Sequence, residues 1–259
     1  MSHNEYFVTY QQHSQTNQAY YRHLVGSYAH MDSLSKTTEA TIRLAHADDQ
    51  FIMASIAARA NFDDDLFGKI IHPYREQYPE DMHIFWLKKF RKAWHNPYNL
   101  FLVSTVQHNG SELITGMAQW SRRGEYFNEY QALLKECLEP ALPVNRAADP
   151  EMENLIERSG SYLPDVWTGD RFECWRLNGL AIDPVHQGNR HGTALVRHGL
   201  DLAAKENIAA SVISAAKKEV AEGFYAKLGF KSIGIRAVDG EGNPLSGIEG
   251  DQIMFKDKQ

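Results

Sequence analysis

Between Leu180 and Leu195 the chain reads LAIDPVHQGNRHGTAL, an apolar strand pattern that stops at a proline and restarts as a helix. Pro184 has no backbone donor, so it ends the strand. Gly188 and Gly192 let the chain turn tightly and leave no Cβ in the way of a ligand. The helix that follows starts with N–H groups that have no partner inside it. With the helix macrodipole they make a site for a phosphate or diphosphate. Thr193 can add a hydroxyl and Arg190 a cation. Taken alone, this pattern fits many nucleotide binders and also a plain strand-to-helix turn. It is neither the GxGxxG dinucleotide fingerprint nor the GxxxxGKS/T phosphate loop.

The rest of the composition narrows the partners. The 259 residues carry a formal net charge of -6, so nothing draws the whole protein toward nucleic acid and an anionic ligand needs a local site. No run approaches the ~20 apolar residues of a membrane span, and the first residues lack the apolar core of a secretory signal. Cys137 and Cys174 form no CxxC pair and no zinc spacing, which fits two reduced thiols and a cytoplasmic location. No nucleic acid and no membrane are therefore expected as partners. Asn109-Gly110-Ser111 has the form of a glycosylation sequon, but without a signal it reads as a hairpin turn.

Residues 1–36 are rich in Gln, His, Ser, Asn and Tyr and lack apolar periodicity. They read as a flexible arm; its tyrosines, such as Tyr20 and Tyr21, are suited to packing on the domain or on the partner subunit of a homodimer. Residues 37–259 read as one domain. Ala40–Leu44 alternates like a strand. Helical spacing follows from Asp48 through Arg59, from about Asp63 to Ile71, and from His83 to Trp94. Leu100–Val106 and Leu113–Trp120 form a hairpin about His108-Asn109-Gly110. Residues at about 124–172 carry Pro140, Pro143 and Pro150 and helical patterns at Tyr130–Leu138 and Pro150–Arg158, and read as a helical insertion over the core. Strands at Cys174–Ile182, Ala210–Ala215, Phe230–Ala237 and Gln252–Phe255 alternate with helices at Gly192–Glu206 and Glu219–Leu228, the last closed by Gly229.

Downstream of the loop stands Glu222-Gly223-Phe224-Tyr225-Ala226-Lys227-Leu228-Gly229-Phe230. The two segments, with one helix and one strand between them, resemble the signatures of the GCN5-related N-acetyltransferase (GNAT) superfamily. In the first, Gln187-Gly188-Asn189-Arg190-His191-Gly192 follows Q/R-x-x-G-x-G/A, with Arg190 where the family has its first glycine. The second resembles the family's Phe-Tyr helix followed by Lys-x-Gly-Phe. The clear resemblance covers about residues 173–236 and a weaker one about 40–121. It implies an α+β fold: a GNAT-like mixed, mostly antiparallel six- to seven-stranded sheet flanked by helices on both faces.

The resemblance also implies a chemistry. Backbone groups of Leu180, Ala181 and Ile182 would pair with the pantetheine arm of acetyl-CoA, the co-substrate. The diphosphate would sit at Gln187, Gly188, Asn189, Arg190, His191, Gly192 and Thr193. A primary amine would attack the thioester directly, with the Leu180 N–H on the oxyanion and Tyr225 as general acid to the leaving thiolate. The alternative for Tyr225 is a core aromatic on an amphipathic helix. No general base stands out. Arg176 occupies the strand position where some relatives carry a glutamate, Glu173 falls on the opposite face, and Glu125 of the insertion is a further candidate. No metal site is expected: only His191 and His198, of the three histidines with His186, can share a helix face. Asp63-Asp64-Asp65 reads as an acidic helix start, and the tryptophans as core or cleft residues, with Trp120, Trp167 and Phe172 as candidates for an acceptor pocket. The expected reaction is acetyl transfer from acetyl-CoA to a primary amine on a small molecule. A protein or peptide acceptor and a non-catalytic acyl-CoA-binding module are the alternatives.

Overall fold

The computed structural model describes residues 40–124, 141–215 and 223–258. The N-terminal arm, the helix expected at Tyr130–Leu138, Glu125, Cys137 and the first turns of the helix expected at Glu219–Leu228 lie outside the described residues. Residues 39–137 and 142–259 group as one unit, and everything below concerns its described part.

Alternating apolar residues build a seven-stranded sheet of order β1-β2-β3-β4-β5-β7-β6. The strands are β1 (Thr41–Leu44), β2 (Asn99–His108), β3 (Ser111–Arg123), β4 (Cys174–Ile182), β5 (Ala209–Ser214), β6 (Lys231–Arg236) and β7 (Gln252–Lys256). Every pairing is antiparallel except β4 with β5. Asn109 (φ 50°) and Gly110 (φ 77°) make the left-handed two-residue turn between β2 and β3, the turn whose twist suits a hairpin. The parallel pair needs a crossover, and a helix between β4 and β5 supplies it.

Among the described residues the α-helices that accompany the sheet are α1 (Gln50–Ala60), α2 (Met82–Trp94), α3 (Leu155–Ser159) and α4 (His191–Lys205). On one face α1 and α2 cover Phe101, Val103, Met117 and Ala181. On the other, α4 covers Trp120, Trp175, Leu177 and Val212. The stripe His191, Leu195, Gly199, Ala203 is buried along α4, the 3.6-residue period of an amphipathic helix. Gly199 sits so close to fully buried Trp120 that a Cβ there would lie 2.1 Å from the indole ring. The far end of α4 is pinned by Glu206, whose carboxylate accepts from Arg122 Nε at 2.7 Å and Trp175 Nε1 at 2.7 Å. The N-terminus of α4 is thereby fixed at the end of β4.

The elements follow the sequence expectations closely, with one exception. Of the helix expected at Pro150–Arg158 only the second half, α3, is α-helical; residues 150–154 form turns.

Candidate functional site

The parallel pairing of β4 with β5 runs only from Cys174–Ala209 to Leu177–Val212. β4 then continues for five residues, to Ile182, without a partner on that side. The separation starts at a bulge: Trp120 faces Leu177 and Gln119 faces Gly179, leaving Asn178 as the extra residue on β4. A bulge bends its strand away from the ladder.

Antiparallel pairing alternates the direction of the backbone groups. Asp183 N–H donates to Thr115 O at 2.9 Å, directly across from it. Stepping back along β4, Ala181 and Gly179 therefore direct their N–H and C=O groups to β3. Leu180 and Ile182 direct theirs to the open side. This amends the expectation for Ala181, whose backbone is taken by the sheet. The carbonyl of Ile182 is met by the side chain of Gln187, whose Nε2 donates at 3.2 Å. Gln187 thus holds the loop against the strand end, and the Leu180 N–H remains open to the cleft.

The loop after β4 is anchored from below. Asp183 is buried, accepts from Val185 N–H at 3.3 Å and pairs with Arg59 of α1 at 2.5 Å. Gly188 (φ 79°) turns the chain. Arg190 caps α4 in the left-handed conformation, φ 63° and ψ 8°, at the position where a glycine was expected. His191 turns its ring inward: Nδ1 lies 2.8 Å from Ser104 Oγ and 3.2 Å from Thr115 Oγ1. Burial, with His186 alongside, holds the ring below the usual histidine range, so it is neutral at pH 7. Its side chain serves the fold, and only its N–H faces the loop. The backbone N–H groups of residues 188–193 make no hydrogen bond to any described residue. A Cβ at Gly192 would meet only ordinary van der Waals neighbours, at 3.6 Å and beyond. Glycine is thus not demanded there by the protein's own packing, and its bareness serves the approach of a ligand.

Tyr225 lies on the other side of the opening. Residues 223–225 are helical and lead into a 3₁₀ turn, Ala226–Leu228, closed by Gly229 at φ 93°. The Tyr225 ring stands edge-on to Phe224 and Phe230, with centroids at 4.9 and 5.8 Å. Burial pushes its hydroxyl up to about 12, so it keeps its proton at physiological pH. Tyr225 and Leu180 line one cleft of ≈ 380 Å³.

The cleft holds ionisable residues that sequence reasoning did not assign. Arg176 lies over the Trp167 ring at 4.8 Å, with Arg123 over the same ring at 5.3 Å. Its buried Nε has no hydrogen-bond partner, and burial, with Arg123 nearby, pushes it down to about 10. Lys89 of α2 reaches over Phe67, Phe85 and Trp86 at 5.6, 5.3 and 5.5 Å, and burial pushes it down to about 8. Lys89 had a readable signal: it falls on the apolar face of its helix, four residues after Phe85 and three after Trp86. Asp251, just before β7, is 8% exposed, and nothing in its neighbouring sequence marks it.

Other expectations are not met. Trp120 is fully buried against α4, Trp167 is buried, and Phe172 is 51% exposed; none of them lines the cleft. Glu173 is engaged by Arg122, Nη2 at 3.2 Å. His186 and His191 pack edge-on with centroids 6.0 Å apart. No described helix is long and apolar enough to cross a membrane.

Comparison with known proteins identifies the family and the fold. A family model described as Acetyltransferase (GNAT) family matches residues 64–230. An acetyltransferase of Stachybotrys chartarum is 25% identical over 211 residues, 78% of this chain and 85% of that protein. The crystal structure of a "histone acetyltransferase HPA2 and related acetyltransferase" from Corynebacterium glutamicum superimposes with a TM-score of 0.54 at 17% identity, covering 86% of this chain and 98% of that one. An N-acetyltransferase of Thermoplasma acidophilum in complex with coenzyme A matches with a TM-score of 0.45 at 16% identity, over 85% and 99%.

Proposed function

Because the chain belongs to the GNAT acetyltransferase family, we propose that it moves the acetyl group of acetyl-CoA to a primary amine on a small molecule, by direct attack in a ternary complex. The observation that carries this reading is the opening between β4 and β5. On one side it has the unpaired Leu180 edge, on another Tyr225, and at its end the free N–H groups of residues 188–193. That set suits a thioester on a long arm that ends in phosphates.

The diphosphate rests on the N–H groups of residues 188–193 and on the positive end of α4; Arg190 and Thr193 add side-chain donors. The pantetheine arm runs along β4 at Leu180 and Ile182. The amine attacks the thioester carbon, the C–N bond forms, and the Leu180 N–H donates to the oxyanion. The C–S bond breaks, the thiolate takes the proton of Tyr225, and the proton that the nitrogen gives up as the amide forms restores the tyrosine. Burial keeps the Tyr225 hydroxyl protonated at physiological pH, so the proton is present when the thiolate leaves.

A small acceptor is favoured over a peptide by the wall of the cleft. Ile156, Ser159 and Leu163 line it. They belong to the segment at about 124–172, which we read as an insertion in a 37–259 catalytic domain. A wall of that kind encloses an acceptor, whereas a peptide needs an open groove.

A thiol-release assay with acetyl-CoA against a panel of amines and peptides tests the reading. Small primary amines release CoA. Tyr225→Phe lowers kcat by about 100-fold or more and leaves the acetyl-CoA Kd unchanged in calorimetry. Failure of the wild-type protein to bind acetyl-CoA refutes it, and unchanged turnover in Tyr225→Phe removes Tyr225 from the mechanism.

A further inference from the structure

The cleft contains an acidic group that the steps above leave idle. Asp251 is 8% exposed, and its carboxylate accepts no hydrogen bond from any described residue. It lines the same cleft as Leu180 and Tyr225. A buried carboxylate without a partner costs stability, which marks it as a group that waits for one.

Its position follows from the sheet. Ser214 faces Gln252 in the β5–β7 pairing, so the next step places Ala215 opposite Asp251. Beyond Leu177–Val212 the strands β4 and β5 part, and Leu180, Ala215 and Asp251 all line the cleft that opens there. Asp251 itself stands at φ 53°, just before the strand. It shares the cleft with Ala57 of α1 and Phe90 of α2, which puts it on the face of the sheet that these helices cover.

A second hollow of ≈ 230 Å³ adjoins and shares Asp251. Asp63, Asp64, Asp65 and Glu249 also line it, with Lys69 as its cation. Lys69 is paired with Asp65 at 2.6 Å, and Asp64 accepts from the N–H groups of Leu66 and Phe67. The net field on this side is negative and draws in cations.

We propose that Asp251 binds the acceptor's ammonium group and takes its proton, and that the acceptor enters past the carboxylates of the adjoining hollow. This rests on the acetyl-transfer reading. The ammonium gives one proton to Asp251 and becomes the amine that attacks the thioester. The nitrogen gives up a second proton as the amide forms, and that proton replaces the one Tyr225 delivered to the thiolate. Asp251 then releases its own proton to solvent. The net reaction is ammonium plus thioester to amide, thiol and one proton.

The protonation state suits the role. Burial pushes the Asp251 carboxyl up to about 6; Arg236 opposes the shift and Asp64 adds to it. The other charges around it are Asp63, Asp65, Glu249 and Lys69 in the adjoining hollow and Lys89 and Arg176 in the cleft itself. A base with a pKa just below neutrality is ionised at pH 7 and still a useful proton acceptor.

The test uses the full chain, an active amine from the panel, and the pH profile of kcat/KM. Wild type shows an acid limb near pH 6. Asp251→Asn lowers kcat/KM by about 100- to 10,000-fold, abolishes the limb, and keeps the acetyl-CoA Kd. Asp251→Glu retains a limb, and this arm keeps the test open if the asparagine variant fails to fold. The proposal is overturned if wild type has no limb near pH 6, or if Asp251→Asn keeps both limb and rate. A wild type that binds acetyl-CoA and acetylates no amine overturns the acetyl-transfer reading and this proposal with it. A wild type that is active without the limb overturns only this one.

Discussion

Arg190 offers the sharpest test of the loop's physics, because strain and charge meet in one residue. Its backbone sits at φ 63° and ψ 8°, where a side chain with a Cβ pays about 1–2 kcal/mol. Glycine pays no such penalty, but loses about 0.5–1 kcal/mol more conformational entropy on folding. Arg190→Ala keeps the Cβ and the strain; Arg190→Gly removes both. The glycine variant should therefore be the more stable of the two by about 0.5–1 kcal/mol, or about 1–4 °C in Tm for a chain of this size. Both variants lose the guanidinium. Arg190 is exposed, so its contact with a phosphate is screened, and the loss should raise KM for acetyl-CoA by a similar factor in both, about 3- to 10-fold from a contact of roughly 1 kcal/mol. The comparison needs thermal melts of the unliganded protein and KM at low and high salt. Equal melting temperatures would refute the strain argument. A KM rise in the glycine variant alone would show that loop geometry, and not charge, is what Arg190 supplies.

Two further substitutions probe how the site is held. Gly199→Ala gains about 1 kcal/mol of helix propensity, but its Cβ would lie 2.1 Å from the ring of fully buried Trp120; overpacking at about 1–3 kcal/mol wins, and chemical denaturation should show a net loss of stability. Arg176→Met should do the opposite: burial that pushes the arginine well below its ordinary range, to about 10, costs about 3 kcal/mol, and after the lost contact with Trp167 a gain of about 1–2 kcal/mol should remain. An unchanged or lowered Tm would mean that Arg176 has a partner in the folded protein.

What the sequence disclosed and what it withheld divide along one physical line. Period and punctuation are local, so β4 could be read from Cys174 to Ile182, the left-handed turn from Asn109-Gly110, and the start of α4 from Gly192, within a residue of its actual start at His191. Orientation is not local. Alternation reveals that a strand has two faces but not which helix covers each. Trp120 looked like a pocket residue because it ends the hairpin strand, yet it faces α4, where Gly199 leaves room for it. The family resemblance assigns pairing with the ligand to Ala181 together with Leu180 and Ile182, yet a single hydrogen bond, Asp183 N–H to Thr115 O, commits the Ala181 backbone to β3. The bulge at Asn178 depends on the partner strand as much as on β4, so no window on β4 alone reveals it. Asp251 is the extreme case. It is 71 positions from Leu180 in the chain, and β5, paired with β4 on one side and β7 on the other, brings both to one cleft. The loop motif records the part of the site proposed to bind the acetyl donor, where backbone geometry leaves a mark on the sequence. The ionisable side chains of the cleft come from separate elements, Lys89 on α2, Arg176 on β4 and Asp251 before β7, and only the fold brings them around one opening.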